Sequence, residues 1–149
     1  MSEDSGAAPT PWVLDVSVLV GVARNDHGVM ALIQGLDAAG RPLVIPVLAM
    51  TAALLNIRSD DTEDLLHGLE QLDNTMTAPL RDAEQAARLA DVIARTGLDP
   101  WDSQVAAVAD AAVFPVLTLD GGKWRQHAGA LDEPLHVIEI SDPDLGPDG

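Results

Sequence analysis

The sequence predicts one α/β domain in which helices cover both faces of a mostly parallel sheet, a three-layer α/β/α architecture. Short apolar runs rich in β-branched residues alternate with longer segments in which apolar residues recur every three or four positions. Strands that alternate with helices favour parallel pairing, because a crossover between parallel strands usually contains a helix. The 149 residues suit a single domain, and the sequence has no internal repeat or change in composition.

Five apolar runs are predicted to be strands, at residues 12–20, 43–46, 74–80, 113–119 and 136–140. The first run, WVLDVSVLV, is typical of a strand that is buried on both faces, since only one Asp interrupts its apolar residues. The third run ends at Pro79, which favours a place at the edge of the sheet. With three Trp, one Phe and no Tyr, the core must be mainly aliphatic.

Five further segments are predicted to be helices, at residues 27–39, 48–57, 60–72, 81–96 and 100–112. Their ends carry the expected signals. Ser59 precedes an acidic first turn, and Gly97 follows the fourth helix. Pro100 lies in the first turn of the fifth helix, where a missing N–H is tolerated. Helices in these positions provide the crossovers of a parallel sheet.

The formal charge of −16 counts against a protein that binds nucleic acid on its own, because such proteins use clusters of Lys and Arg. Lys123 is the one lysine of the chain, and the seven arginines are scattered. Any RNA contact must then be local, metal-mediated or supplied by a partner. An acidic domain is also suited to a cationic protein partner.

The absence of cysteine excludes disulfides and thiolate metal sites, and it favours the cytoplasm. Residues 1–10 lack the basic and apolar parts of a signal peptide. The longest apolar run, at residues 42–55, is too short to cross a membrane. We therefore expect a domain at residues 11–141 between disordered tails at residues 1–10 and 142–149, with no membrane segment.

Three aspartates interrupt or end apolar segments. Asp15 lies within the first run, Asp102 in the first turn of an Ala-rich helix, and Asp120 directly after VLTL. The helix dipole alone can explain Asp102, and a turn before Gly121 can explain Asp120. Buried carboxylates are costly, however, and one explanation covers all three. Clustered carboxylates bind Mg²⁺ or Mn²⁺, which can activate water and neutralise charge on a phosphodiester.

Residues 13–20, VLDVSVLV, resemble the first strand of PIN domains. In that family an apolar strand carries an Asp, and a small hydroxyl residue follows two positions later. Asp15 and Ser17 occupy these two positions.

Residues 99–120, DPWDSQVAAVADAAVFPVLTLD, are similar to the closing half of the same family. There an Asp opens an Ala-rich helix, and a later strand ends in Thr-x-Asp. Asp102, Thr118 and Asp120 match these positions one by one. The blocks occur in the family's order, and the resemblance extends over residues 12–140.

The resemblance implies a PIN-like three-layer fold and a hydrolase that cleaves RNA with Mg²⁺ or Mn²⁺. It makes Asp15, Asp102 and Asp120 the candidate catalytic and metal-binding residues, with Ser17 and Thr118 in support. It also implies a toxin of the VapC type, held in check by a small antitoxin that inserts near the active site. Dimerisation is common in the family, so a homodimer is expected as well.

The sequence departs from the family at one position. PIN domains usually carry a Glu on the helix after the second strand, and residues 45–55, IPVLAMTAALL, contain no acid. Spacing puts the missing Glu near Ala52, with Thr51 as the neighbouring alternative. Loss of one carboxylate should weaken metal binding, and Asp99, three residues before Asp102, is the candidate to compensate. A catalytically degenerate PIN-like protein that binds a protein partner is therefore the alternative function.

Two further expectations concern the site. Lys123, Trp124 and Arg125 follow Asp120 closely, and they form either a cationic lip for phosphate or a loop anchored by a packed Trp124. If the three aspartates cluster, replacing Asp15 or Asp120 with Asn should be neutral or stabilising without metal, because like charges repel.

Overall fold

The computed structural model describes residues 9–140. Its five strands form one sheet in the order β3-β2-β1-β4-β5, and every neighbouring pair is parallel. The strands are β1 Trp12–Leu14, β2 Leu43–Pro46, β3 Thr75–Ala78, β4 Val116–Thr118 and β5 Val137–Glu139. The predicted α/β class with its parallel sheet is confirmed, and β3 lies at an edge as expected.

Seven α-helices accompany the sheet within the described residues. They are α1 Val16–Ala23, α2 His27–Ala38, α3 Val47–Asn56, α4 Asp60–Glu70, α5 Ala83–Thr96, α6 Pro100–Ala112 and α7 Gly121–His127. Five of them, α2 to α6, match predicted helices. The Ser59 hydroxyl caps α4 by accepting the Thr62 N–H, and Gly97 ends α5 with a φ of +72°.

The prediction of one strand over residues 12–20 is wrong after Leu14. The chain turns at Asp15 into α1, and the Asp15 side chain caps this helix by accepting the N–H of Val18. Most of α1 is buried, so its sequence has no polar face that would mark it as a helix. A short apolar run of this kind has the same pattern in a buried strand and in a buried helix.

The strand order places β1 and β4 side by side at the centre of the sheet, although their connections run to opposite sides. In parallel sheets, ligands bind at such a switch point, beyond the carboxyl ends of the strands. Leu14 is paired with Leu117, so Asp15 and Thr118 are the next residues along the two strands. The fold therefore brings the end of β1 and the end of β4 to the place where a site is expected.

The core is aliphatic, as the composition predicts, with one large exception. Trp124 on α7 is fully buried and is the largest side chain of the core. Within residues 9–140, no single helix is long and apolar enough to cross a membrane. Taken together, α1 and α2 have the length and composition of a membrane span, but the two helices are bent by 112° at the break between them. The predicted tails fall almost entirely outside the described residues, so the domain limits of 11–141 stay predictions.

Candidate functional site

Asp15 is fully buried at the junction of β1 and α1, and its carboxylate accepts four hydrogen bonds. Oδ1 accepts from the Ser17 hydroxyl at 2.6 Å and from the Val18 N–H at 3.1 Å. Oδ2 accepts from the Thr118 hydroxyl at 2.5 Å and from the Trp124 indole N–H at 2.8 Å. A carboxylate offers about four lone-pair positions, so these four donors use the whole acceptor capacity of Asp15.

Ser17 and Thr118 join the β1–α1 junction to the end of β4. The Ser17 hydroxyl oxygen accepts the N–H of Leu119 at 2.9 Å, and it lies 3.3 Å from the Thr118 hydroxyl oxygen. The Thr118 hydroxyl oxygen in turn accepts the N–H of Asp120 at 2.9 Å. The two hydroxyl groups therefore both donate to Asp15 and accept from the backbone after β4, which fixes the geometry of the junction.

Asp102 is buried in the first turn of α6, and its two oxygens differ. Oδ2 lies 3.0 Å from the ammonium nitrogen of Lys123, while Oδ1 has no hydrogen-bond partner among residues 9–140. Burial raises the pKa of Asp102 above its usual value, and the Lys123 hydrogen bond and charge oppose this rise. The negative charges of Asp99 and Asp15 raise the pKa of Asp102 further.

Asp120 and Asp99 are exposed and act as helix caps. Asp120 Oδ1 accepts the N–H of Lys123 at 3.2 Å in the first turn of α7. Asp99 Oδ1 accepts the N–H of Asp102 at 2.8 Å, directly before Pro100 begins α6. Asp99 thus lies outside the helix and does not share a helical face with Asp102. The turn role that the sequence allowed for Asp120 is present in the structure.

Sequence reasoning noted Lys123 and Trp124 but did not assign their partners. The Trp124 indole anchors α7 to Asp15, the Lys123 ammonium lies at Asp102, and the Arg125 guanidinium pairs with Glu139 at 3.4 Å. This arrangement agrees with the anchored loop rather than the open cationic lip. The signal in the sequence was the position of these two donors, since the one Lys of the chain and a Trp lie three and four residues after Asp120.

The PIN domain family model matches residues 12–129. The chain belongs to the PIN domain family. The resemblance in the sequence predicted this membership, and it is confirmed. No curated protein matches the chain.

Solved structures similar to this PIN domain show the same fold. A chain of VapBC2 from Rickettsia felis, bound to a promoter DNA fragment, is 13% identical with a TM-score of 0.61, covering 88% of this chain and 99% of that one. A chain of DNA-bound VapBC from Salmonella typhimurium is 14% identical with a TM-score of 0.59, covering 87% and 98%. A chain of FitAcB from Neisseria gonorrhoeae is 16% identical with a TM-score of 0.52, covering 85% and 96%.

The family generally uses divalent metal ions, but the donors of this PIN domain do not fit one as they are arranged. Among residues 9–140, no group of three or more His, Cys, Asp or Glu side chains is placed to hold a metal ion. Asp15 has no lone pair left, and an ammonium group already lies at Asp102. The Mg²⁺ or Mn²⁺ cofactor and the metal role of Asp15, Asp102 and Asp120 therefore stay predictions.

The helix that usually carries the family's Glu is α3, and it contains no acid here. Thr51 and Ala52 are both half-buried, and the Thr51 hydroxyl donates to the carbonyl of Val47 at 2.9 Å. The start of α3 is tied to α6, because the Leu48 N–H donates to the side-chain oxygen of Gln104 at 2.7 Å. Which of Thr51 and Ala52 replaces the Glu stays a prediction.

Proposed function

We propose that this PIN domain is the toxin-like half of a toxin–antitoxin pair and acts by binding a small cationic protein partner, without cleaving RNA in the arrangement described. The observation that carries the proposal is the saturated carboxylate of Asp15. Its four donors come from the protein itself, so a metal ion would have to displace at least one of them. The lack of an acid on α3 supports the same conclusion.

The charge of the chain supports a cationic partner. At −16, the domain attracts basic segments and repels nucleic acid. The similar solved structures are VapBC and FitAcB assemblies, which is consistent with a domain that works in a complex with an antitoxin.

A groove between α2 and α4 has the chemistry that such a partner needs. Its floor is apolar and is lined by Val22, Met30, Ile33, Leu65, Leu69 and Leu72. The exposed Asp64 lies at its rim, and the preceding first turn of α4 carries three further exposed acids, Asp60, Asp61 and Glu63. An amphipathic helix with one apolar and one basic face fits an apolar groove with an acidic rim.

A metal-dependent ribonuclease of the toxin type is the second candidate, with Asp15, Asp102 and Asp120 as its catalytic and metal-binding residues. One observation favours it. Oδ1 of Asp102 is buried without a partner among residues 9–140, and a buried polar atom of this kind suits a ligand or an ordered water. Ser17, Thr118 and Asp99 would support such a site through the hydrogen bonds described above.

Metal titration with RNA cleavage separates the two candidates. We expect calorimetry of the wild-type chain with Mn²⁺ to give no saturable binding, and we expect no Mn²⁺-dependent cleavage of a mixed RNA substrate. The reason is the occupied acceptor capacity of Asp15 and the ammonium at Asp102. Saturable Mn²⁺ binding together with cleavage that Asp102→Asn abolishes would establish the ribonuclease instead.

Peptide binding tests the proposed partner surface. We expect a labelled helical peptide with one leucine face and one lysine face to bind the chain, and Leu65→Lys to weaken this binding about tenfold, roughly 1.4 kcal/mol. Leu65 is half-buried in the groove, and a lysine there repels the basic peptide. Met76→Lys on β3, where Met76 is exposed, is the matched control and should change nothing. Equal losses in both variants would mean general charge attraction rather than the groove.

A further inference from the structure

We propose that Lys123 is a built-in cation of the acidic site, and that its ammonium closes a latent site for a divalent ion at Asp102. The inference rests on the same site as the proposed function, but it concerns what keeps metal out. The Lys123 ammonium keeps a metal ion from Asp102, in addition to the four donors that fill Asp15 and the missing acid on α3.

The ion pair between Lys123 and Asp102 has the position and burial of an internal counterion. Nζ lies 3.0 Å from Oδ2, and the two side chains are only 29% and 7% exposed. A surface lysine normally keeps its ammonium in water, whereas this one is turned inward toward a buried carboxylate. It also lies 5.5 Å from the centre of the Trp124 ring, within the range of a cation–π contact.

Two consecutive residues of α7 contact all three candidate aspartates. The Lys123 backbone N–H donates to Asp120, its ammonium donates to Asp102, and the Trp124 indole donates to Asp15. Three carboxylates in one region repel one another unless a positive charge or donors compensate. Lys123 supplies the positive charge, and Lys123 and Trp124 supply the donors. A bound divalent ion and its waters would provide the same two things.

The unpartnered oxygen of Asp102 is the independent sign of a ligand position. Its side chain is more than nine-tenths buried, and Oδ1 has no partner among the described residues even with Lys123 in place. Without the ammonium, both oxygens of Asp102 become available, while the exposed Asp120 accepts the backbone N–H of the same lysine. Mg²⁺ and Mn²⁺ are commonly held by one or two carboxylates and several waters, so Asp102 is the expected principal ligand.

Mn²⁺ calorimetry on the full chain tests the inference. We expect Lys123→Met to bind Mn²⁺ saturably where the wild type does not, with an affinity at least about tenfold above the weakest that the titration detects, because the freed carboxylate gains a cation in place of the lost ammonium. Arg125→Met is the matched control. It removes a cation from the same helix, but Arg125 pairs with the exposed Glu139, so the Mn²⁺ affinity should not change.

Thermal unfolding with and without Mn²⁺ provides a second test, which also works if Lys123→Met is less stable than the wild type. Without metal, this variant leaves Asp102 buried and unpaired, so we expect a lower Tm than in the wild type, and Mn²⁺ should restore it. The double variant Asp102→Asn/Lys123→Met removes both charges. It should melt close to the wild type without metal and should not respond to Mn²⁺.

The inference is overturned if Lys123→Met binds Mn²⁺ no more tightly than the wild type, or if the double variant responds to Mn²⁺ as strongly as Lys123→Met. These outcomes differ from those that overturn the proposed function. If the wild type binds no Mn²⁺ and Lys123→Met gains none, the built-in cation is wrong and partner binding stands. If the wild type binds Mn²⁺ and cleaves RNA, the proposed function is wrong.

Discussion

Asp15→Asn is expected to lower the free energy of unfolding by about 3 kcal/mol or more in metal-free buffer, the loss typical of breaking a buried charged network. Asn has one acceptor oxygen, whereas Asp15 uses both of its oxygens. In either orientation, the amide NH₂ would face two donors, either Ser17 and Val18 or Thr118 and Trp124. Urea unfolding of the two proteins measures the difference.

Asp120→Asn is the matched control and is expected to change stability by less than about 0.5 kcal/mol, since Asn is as good a helix cap as Asp. Asp120 is exposed, and its carboxylate accepts the N–H of Lys123. From the sequence alone, both substitutions are expected to be neutral or stabilising. The geometry reverses this expectation for Asp15. A loss below about 1 kcal/mol in Asp15→Asn would mean that relief of charge repulsion offsets the lost hydrogen bonds.

The helices and strands with strong end signals could be predicted from the sequence. The strand at residues 43–46 and the helix at residues 100–112 have the predicted bounds, and Ser59 and Gly97 cap the helices that they were expected to cap. For the helices a local chemical reason decides the boundary, namely a side-chain oxygen acceptor at a helix start, from Ser59 or Asp99, or a positive φ at a helix end.

The two helices that prediction missed lack such signals. α1 is apolar except for Ser17, and in the sequence pattern its N-cap Asp15 is indistinguishable from an interruption within a strand. α7 has seven residues and begins with two glycines, and a Gly-Gly pair in a sequence predicts a turn rather than a helix. Both helices form because their side chains complete the core, and Trp124 is fully buried for this reason. Tertiary packing of this kind is not visible in a local pattern.

The candidate aspartates could be found from the sequence, but their partners could not. The order of β1 and β4 brings Asp15 next to Thr118, and doubly wound topology makes that proximity predictable. Which side chain then donates to which carboxylate depends on how α7 packs after Gly121 and Gly122. Sequence spacing does not determine how α7 packs, so the hydrogen-bond partners of Lys123 and Trp124 are seen only in the three-dimensional structure.

Trp124→Ala is expected to be the most destabilising single substitution, with a loss of about 3–5 kcal/mol, as is usual for truncation of a buried aromatic side chain. Trp124 is fully buried, and its indole N–H donates to Asp15 at the β1–α1 junction. Trp124→Phe keeps most of the ring and removes the N–H donor, so a smaller loss of about 2 kcal/mol is expected, from one lost charge-assisted hydrogen bond and a small cavity.

A double-mutant cycle determines how much of the Trp124 effect passes through Asp15. Trp124→Phe removes the donor of this hydrogen bond, and Asp15→Asn removes either the acceptor or its negative charge. Their combined loss should therefore be smaller than the sum of the single losses, by about 1 kcal/mol or more. Urea unfolding of the four proteins measures this coupling. Losses that add within about 0.5 kcal/mol would mean that Trp124 stabilises the domain by packing alone. In that case the indole would not hold Asp15, and the carboxylate would keep a lone pair for another ligand.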